Sequence, residues 1–308
     1  MPPGRTDSLR LFRVLGINVY VHWSWIFVAI YQIQYRVHQY SSVAWAVAEY
    51  LTLFLIILLH EFGHAFATRQ VGGTADQILL WPLGGATTVS PPPRPGAELW
   101  SIAAGPLVNL VLLFALTFVV VTSHIPLFSM DLVLPDISNF LRSIWWINFG
   151  LLIFNIIPVY PLDGGQIFRA LLWFVIGRAR SMYVAAIVGF IGAAGLAVLA
   201  LIEQSIWLGF MAFFMFANCR RGWAHAQALT ALEHQPPRPG YACPSCHVTP
   251  SVGALWRCPQ CSTAFDTFET QATCPNCHLE FPATRCLHCH VSSPIANWRT
   301  PPDLPVTR

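Results

Sequence analysis

Residues 50–68 read YLTLFLIILLHEFGHAFAT. Residues 50–59 carry no charge, and then two histidines and a glutamate arrive within five positions. Ionisable side chains in so apolar a run cost roughly 3 kcal/mol each unless something coordinates or pairs them. The spacing supplies the something. Residues four apart share a helix face, so His60 and His64 present imidazole nitrogens to one ion, with Glu61 beside the first. A zinc ion held there lowers the pKa of water at its open position to about 7, and Glu61 is placed to take the proton as general base.

A catalytic zinc takes three protein ligands and keeps one position open. Few acidic residues have strongly apolar surroundings. Asp131 and Asp136 fall in a loop, Glu203 at a turn, Asp76 in a polar stretch, and Glu49 three turns before His60. Asp163 follows YPL and precedes a Gly pair that lets backbone come close, and it is the expected third ligand.

The run around His60 is one of several. Of 308 residues, 55% are hydrophobic and only 10% charged, and the mean hydropathy is +0.53. That balance excludes a soluble globule and predicts an all-α polytopic membrane protein. About six transmembrane helices are expected, over residues 21–37, 43–68, 99–123, 140–157, 182–201 and 206–218. Arg5, Arg10, Arg13, Arg69, Arg94, Arg178, Arg180, Arg220 and Arg221 then fall on one side, against Arg36 and Arg142 on the other. Positive residues stay cytoplasmic, which predicts a multi-pass plasma-membrane protein with both termini in the cytoplasm. Residues 78–89, ILLWPLGGATTV, are apolar but carry Pro82, Gly84 and Gly85, so a membrane-embedded hairpin or re-entrant segment is expected there. Residues 155–166, NIIPVYPLDGGQ, must break their helix.

The domain organisation reads as a membrane domain over 1–233, a Pro-rich linker at 234–240, a cysteine-rich domain over 241–290 and a disordered tail at 291–308. Eight of nine cysteines form four C-x-x-C pairs: Cys243 and Cys246, Cys258 and Cys261, Cys274 and Cys277, Cys286 and Cys289. Such pairs hold structural zinc, and they read as a double zinc ribbon with the pairs taken in sequence. Crossed or nested pairing uses the same thiolates. Past Tyr241 four arginines balance four acidic residues, so nucleic acid is not the expected partner and a protein partner is.

Three motifs occur in order: HEFGH at 60–64, AGPLVN at 104–109, and Asn155 followed after seven residues by Asp163-Gly164. Together they resemble the site-2 protease family of intramembrane zinc metalloproteases, over residues 14–220. The resemblance implies hydrolysis of peptide bonds within the bilayer, in membrane-anchored protein substrates. Its zinc would sit on His60, His64 and Asp163, with Glu61 as base and Asn155 near the ion, binding substrate backbone or the oxyanion. The substrate helix would unwind into a strand beside the PLGG hairpin. No insertion is long enough for a PDZ module, which resembles the compact subgroup. Gly105, Pro106 and Asn109 read as packing residues without a chemical role. One catalytic and two structural zinc ions are expected. A non-proteolytic membrane regulator acting through the ribbons is the alternative; an intact Glu61 argues against it. A metal transporter would need more intramembrane carboxylates.

Overall fold

The computed structural model describes residues 8–81, 84–122, 136–233, 235–289 and 291–299. They belong to two units, Met1–Trp223 and Ala224–Arg308.

The first unit opens on a β-hairpin, β1 (Ser8–Val14) and β2 (Ile17–His22), whose last two residues overlap the start of the membrane helix expected over 21–37. Its two-residue turn, Leu15-Gly16, has φ of 48° and 80°, the pair of positive values that matches the twist of the flanking strands. Arg69 caps the turn, its guanidinium donating to the carbonyls of Leu15 and Ala75. After the hairpin come α1 (Trp25–Arg36) and α2 (Val43–Gln70), and then β3 (Thr74–Trp81) lies parallel to β2. Parallel neighbours need a long crossover, and α1 with α2 provides it. An antiparallel β4 (Gly84–Ser90) completes a four-stranded sheet in the order β1-β2-β3-β4.

This sheet corrects the all-α expectation. The period-2 residues Ile17, Val19, Ile78 and Leu80 bury one face against Leu58 and Ala65 of α2. Residues 78–89 are a hairpin extended by β2, with Leu79 opposite Ala86; positions 82–83 of its turn lie outside the described residues. The expected first span is corrected too. Its beginning is strand, and the 12 residues of α1 reach about 18 Å, short of a bilayer core of about 30 Å.

The remaining helices are α3 (Pro95–Thr122), α4 (Asp136–Ile156), α5 (Asp163–Ile176), α6 (Arg178–Ile202) and α7 (Ile206–Glu233). Among the described residues four helices, α2, α3, α4 and α6, are long and apolar enough to cross a membrane, rather than six. In α7 only residues 206–218 are apolar, about 20 Å of helix. Helix α4 stops two residues before Pro158, and α5 begins at Asp163, so the expected break is where the sequence puts it.

In the second unit two short hairpins, β5 (Trp256–Arg257) with β6 (Ala264–Phe265) and β7 (Thr284–Arg285) with β8 (Ser292–Ser293), surround a core of Phe268, Trp298, Tyr241 and Trp256. The expected linker is built into this unit: Arg238 pairs with the buried Asp266, and its N–H donates to the Pro250 carbonyl at 2.8 Å. The tail expected to be disordered from 291 is ordered through 299, because Trp298, 1% exposed, is a core residue and Tyr241 bridges Arg299. Residues 290 and 300–308 lie outside the described residues.

Candidate active site

Helix α2 puts His60 and His64 on one buried face, one turn apart, with Glu61 also buried. Helix α3 passes so closely that a Cβ added to Gly105 would lie 2.3 Å from His64 Nε2 and 2.7 Å from His60 Nε2. Only a residue without a side chain leaves room there. The third element arrives from the other side. Gly164 and Gly165 seat the first turn of α5 against the end of α4, where a Cβ on either would come within 2.2 Å of backbone. Asp163 at the head of α5 thereby reaches both imidazoles, its Oδ2 lying 3.0 Å from His60 Nε2 and 3.3 Å from His64 Nε2. The two Nε2 atoms are 3.1 Å apart.

Hydrogen bonds from the far side of each ring decide which atoms face inward. His60 Nδ1–H donates to Asn109 Oδ1 at 3.0 Å, and His64 Nδ1–H donates to the Ser101 carbonyl at 2.9 Å. Both Nε2 atoms are then bare acceptors turned on a carboxylate oxygen. Three lone pairs this close repel one another unless a cation lies among them. The separations suit one: donors about 2.0 Å from a tetrahedral zinc lie about 3.3 Å apart. Glu61 offers an oxygen within 4.8 Å of both histidines. With Asp163 in direct contact with both rings, Glu61 stands beside the cluster as the carboxylate available to a proton.

Sequence reasoning missed Asn109, which it treated as packing. It is 1% exposed, orients His60, and its backbone carbonyl accepts from Asn148 Nδ2 at 2.9 Å. The available signal was an amide in an otherwise apolar helix, which needs a partner. It also missed the pairing of Arg169 with the buried Glu98, which ties α5 to α3 beside the His64 acceptor Ser101. Asn155 is half-buried in the last turn of α4 and makes no hydrogen bond to His60, His64 or Asp163.

In the second unit the cysteines gather in two fours, but not in sequence order. Cys243, Cys246, Cys286 and Cys289 form one group and Cys258, Cys261, Cys274 and Cys277 the other, so the sequential pairing is corrected to a nested one. The reason is the aromatic core. Cys243 and Cys286 pack on Phe268 and Trp298, and the Tyr241 to Arg299 bridge joins the two ends of the domain around the inner group. Sγ separations run from 3.5 to 3.8 Å, near the 3.8 Å or so expected of four thiolates about 2.3 Å from zinc. His247, Ser262 and His278, each following a C-x-x-C pair, have φ of 59°, 59° and 57°, the tight turn of a metal knuckle. Burial pushes the Cys286 thiol up to about 11, so zinc uptake there displaces a proton.

Comparison with known proteins points to one family. The description of peptidase family M50 matches residues 48–199. A zinc metalloprotease of Methanocaldococcus jannaschii is 30% identical over 211 residues, 68% of this chain and 58% of that protein. The stage IV sporulation protein FB of Bacillus subtilis is 32% identical over 119 residues, 38% of each chain. The solved site-2 protease from Methanocaldococcus jannaschii superposes with a TM-score of 0.52 at 29% identity, covering 70% of this chain and 95% of that one. The chain spans less than two thirds of the length of the curated relatives it matches.

Proposed function

The chain belongs to peptidase family M50, the site-2 proteases, and from that membership we propose that it is an intramembrane zinc endopeptidase cutting membrane-anchored proteins within or near their transmembrane segments. The observation that carries the reading is the meeting of His60, His64 and Asp163, from helices α2 and α5, at mutual distances of 3.0 to 3.3 Å.

When bound there, zinc supplies Lewis acidity to water and to the scissile carbonyl. His60, His64 and Asp163 hold it, and Asn109 and the Ser101 carbonyl keep both rings turned inward. Glu61 accepts the proton of the attacking water and returns it to the leaving amine. The bilayer and α3 exclude bulk water, so the charge changes at Glu61 occur where electrostatic interactions are strong. The substrate, unwound from its helix, extends along the open edge of β4, whose backbone groups suit an added strand. Asn155, in the last turn of the helix that leads to Asp163, is assigned to the backbone of that strand.

The eight ribbon cysteines hold two structural zinc ions, for three per chain, and the neutral tail meets a protein partner. Arginine placement supports a cell-membrane protein with both termini cytoplasmic. The test is Glu61→Gln in the full-length protein. Cleavage of a co-expressed membrane-anchored reporter disappears while three zinc per chain remain; continued cleavage removes Glu61 from its role.

A further inference from the structure

Strand β1 is the outer strand of the sheet, bonded to β2 on one side, and among the described residues no strand pairs with its other edge. Water is a poor environment for it. Leu9 is 66% exposed and Leu15 70%, and Leu11, Phe12 and Val14 are exposed as well. An apolar open edge in water is a template for aggregation. Hydrocarbon is no better, because backbone N–H and C=O groups on an open edge have no partner there. A layer that hydrates backbone and accepts apolar side chains satisfies both demands, and the membrane interface is such a layer.

The strand is also two-faced. Leu9 lies opposite Val21 and Phe12 opposite Val19, on the face that packs towards α2, whereas Arg10 lies opposite Tyr20 and Arg13 opposite Asn18 on the other face. The register shift at Leu11 keeps both arginines on that face despite their odd spacing. Both are exposed, and neither has an ion-pair partner among the described residues. Residues 8–48 contain no Asp or Glu. Trp23, just before α1, and Tyr31 and Tyr35 on it are exposed, the side chains enriched at headgroup level. Between the hairpin and α1 a groove of about 470 Å³, lined by Leu9, Val21, Trp23, Ile26 and Ile30, offers apolar walls to an acyl chain.

We propose that the β1–β2 hairpin is a lipid-recognition element that lies in the headgroup layer of an anionic leaflet, with Arg10 and Arg13 on phospholipid headgroups and Leu9 and Phe12 at the acyl boundary. The occupant is anionic phospholipid because the charged side chains of the hairpin, Arg10 and Arg13, are both positive and exposed, and Trp23 lines the groove beside Leu9. The proposal is independent of the catalytic reading, since neither arginine touches the metal site.

The test places the full-length protein in nanodiscs of phosphatidylcholine alone or mixed with phosphatidylglycerol, and reads hydrogen exchange at the amides of residues 9–14. An arginine at an anionic surface shifts an equilibrium about fivefold, so the pair is expected to raise protection about 25-fold in the anionic discs at low salt, with most of it lost at high salt. Arg10→Gln with Arg13→Gln abolishes the lipid dependence. Arg10→Lys with Arg13→Lys keeps it, which separates charge from folding. Equal protection in both lipids overturns the proposal. So does protection that appears only when an extended peptide is added, which would make the edge a peptide-docking strand.

Discussion

Gly105→Ala puts a methyl group where two imidazoles converge. The new Cβ would stand 2.3 Å from His64 Nε2, 2.4 Å from its Cε1 and 2.7 Å from His60 Nε2, whereas Cβ atoms essentially never approach other atoms within 3.0 Å. Helix α3 cannot retreat to make room. It is held to α2 where a Cβ on Gly63 would lie 2.7 Å from the Ala104 carbonyl, and to α5 through the buried Glu98 and Arg169 pair. The imidazole must therefore shift by roughly 0.7 Å merely to bring 2.3 Å to 3.0 Å. Metal sites hold their ligand distances within about 0.2 Å, so the displacement is several times the tolerance. Misplacing reacting groups by about 1 Å costs about 10²-fold in rate. Metal analysis of the purified full-length variant is expected to give two zinc per chain instead of three, with reporter cleavage down about 10²-fold or more. Three zinc and cleavage within a factor of two of the parent would refute the geometry of the centre.

Asn109→Ala frees the His60 ring to rotate and is expected to weaken zinc at the membrane site by about 10- to 100-fold, measured by competition with a chelator. Asn109→Asp, which keeps an acceptor for Nδ1–H, restores most of the loss. Gly189 on α6 faces the segment before Asp163, where an added Cβ would lie 2.6 Å from the Tyr160 carbonyl and 2.5 Å from Cys219 Sγ. Gly189→Leu should therefore lose the same zinc as His60→Ala, while Cys219→Ser, retaining a donor for the Tyr160 carbonyl now 3.3 Å from the thiol, keeps it. In the tail, Cys243→Ser and Cys289→Ser are expected to lose one and the same ion and leave the inner group loaded. Sequential pairing would instead give different ions for the two, a distinction visible by mass spectrometry of the intact protein.

The metal centre was legible because its chemistry is local: HEFGH shows its ligands at helical spacing, and Asp163 is marked by the prolines and the Gly pair around it. Asn109 was not, since nothing in AGPLVN says which ring its amide faces; that depends on how α3 crosses α2. The sheet was misread for a similar reason. The hairpin over 78–89 was legible from its Pro and Gly residues, but INVYVH gave no sign that it joins ILLW in one sheet, because the pairing of β2 with β3 spans about 60 residues of chain. That the eight cysteines gather in fours was legible from their spacing, but the partner of each knuckle depends on Trp298, whose aromatic role appears only when residues 241 and 299 meet.

The concentric arrangement of the tail thiolates imposes a timetable on biosynthesis. The inner group of thiols is complete once Cys277 has left the ribosome, whereas the outer one waits for Cys289. A nick or premature stop between these positions would leave the inner four thiols together, unseat Tyr241 and the first knuckle, and deprive the domain of its aromatic centre. A product cut there would thus carry its defect at Tyr241 and the first knuckle, far along the chain from the cut itself.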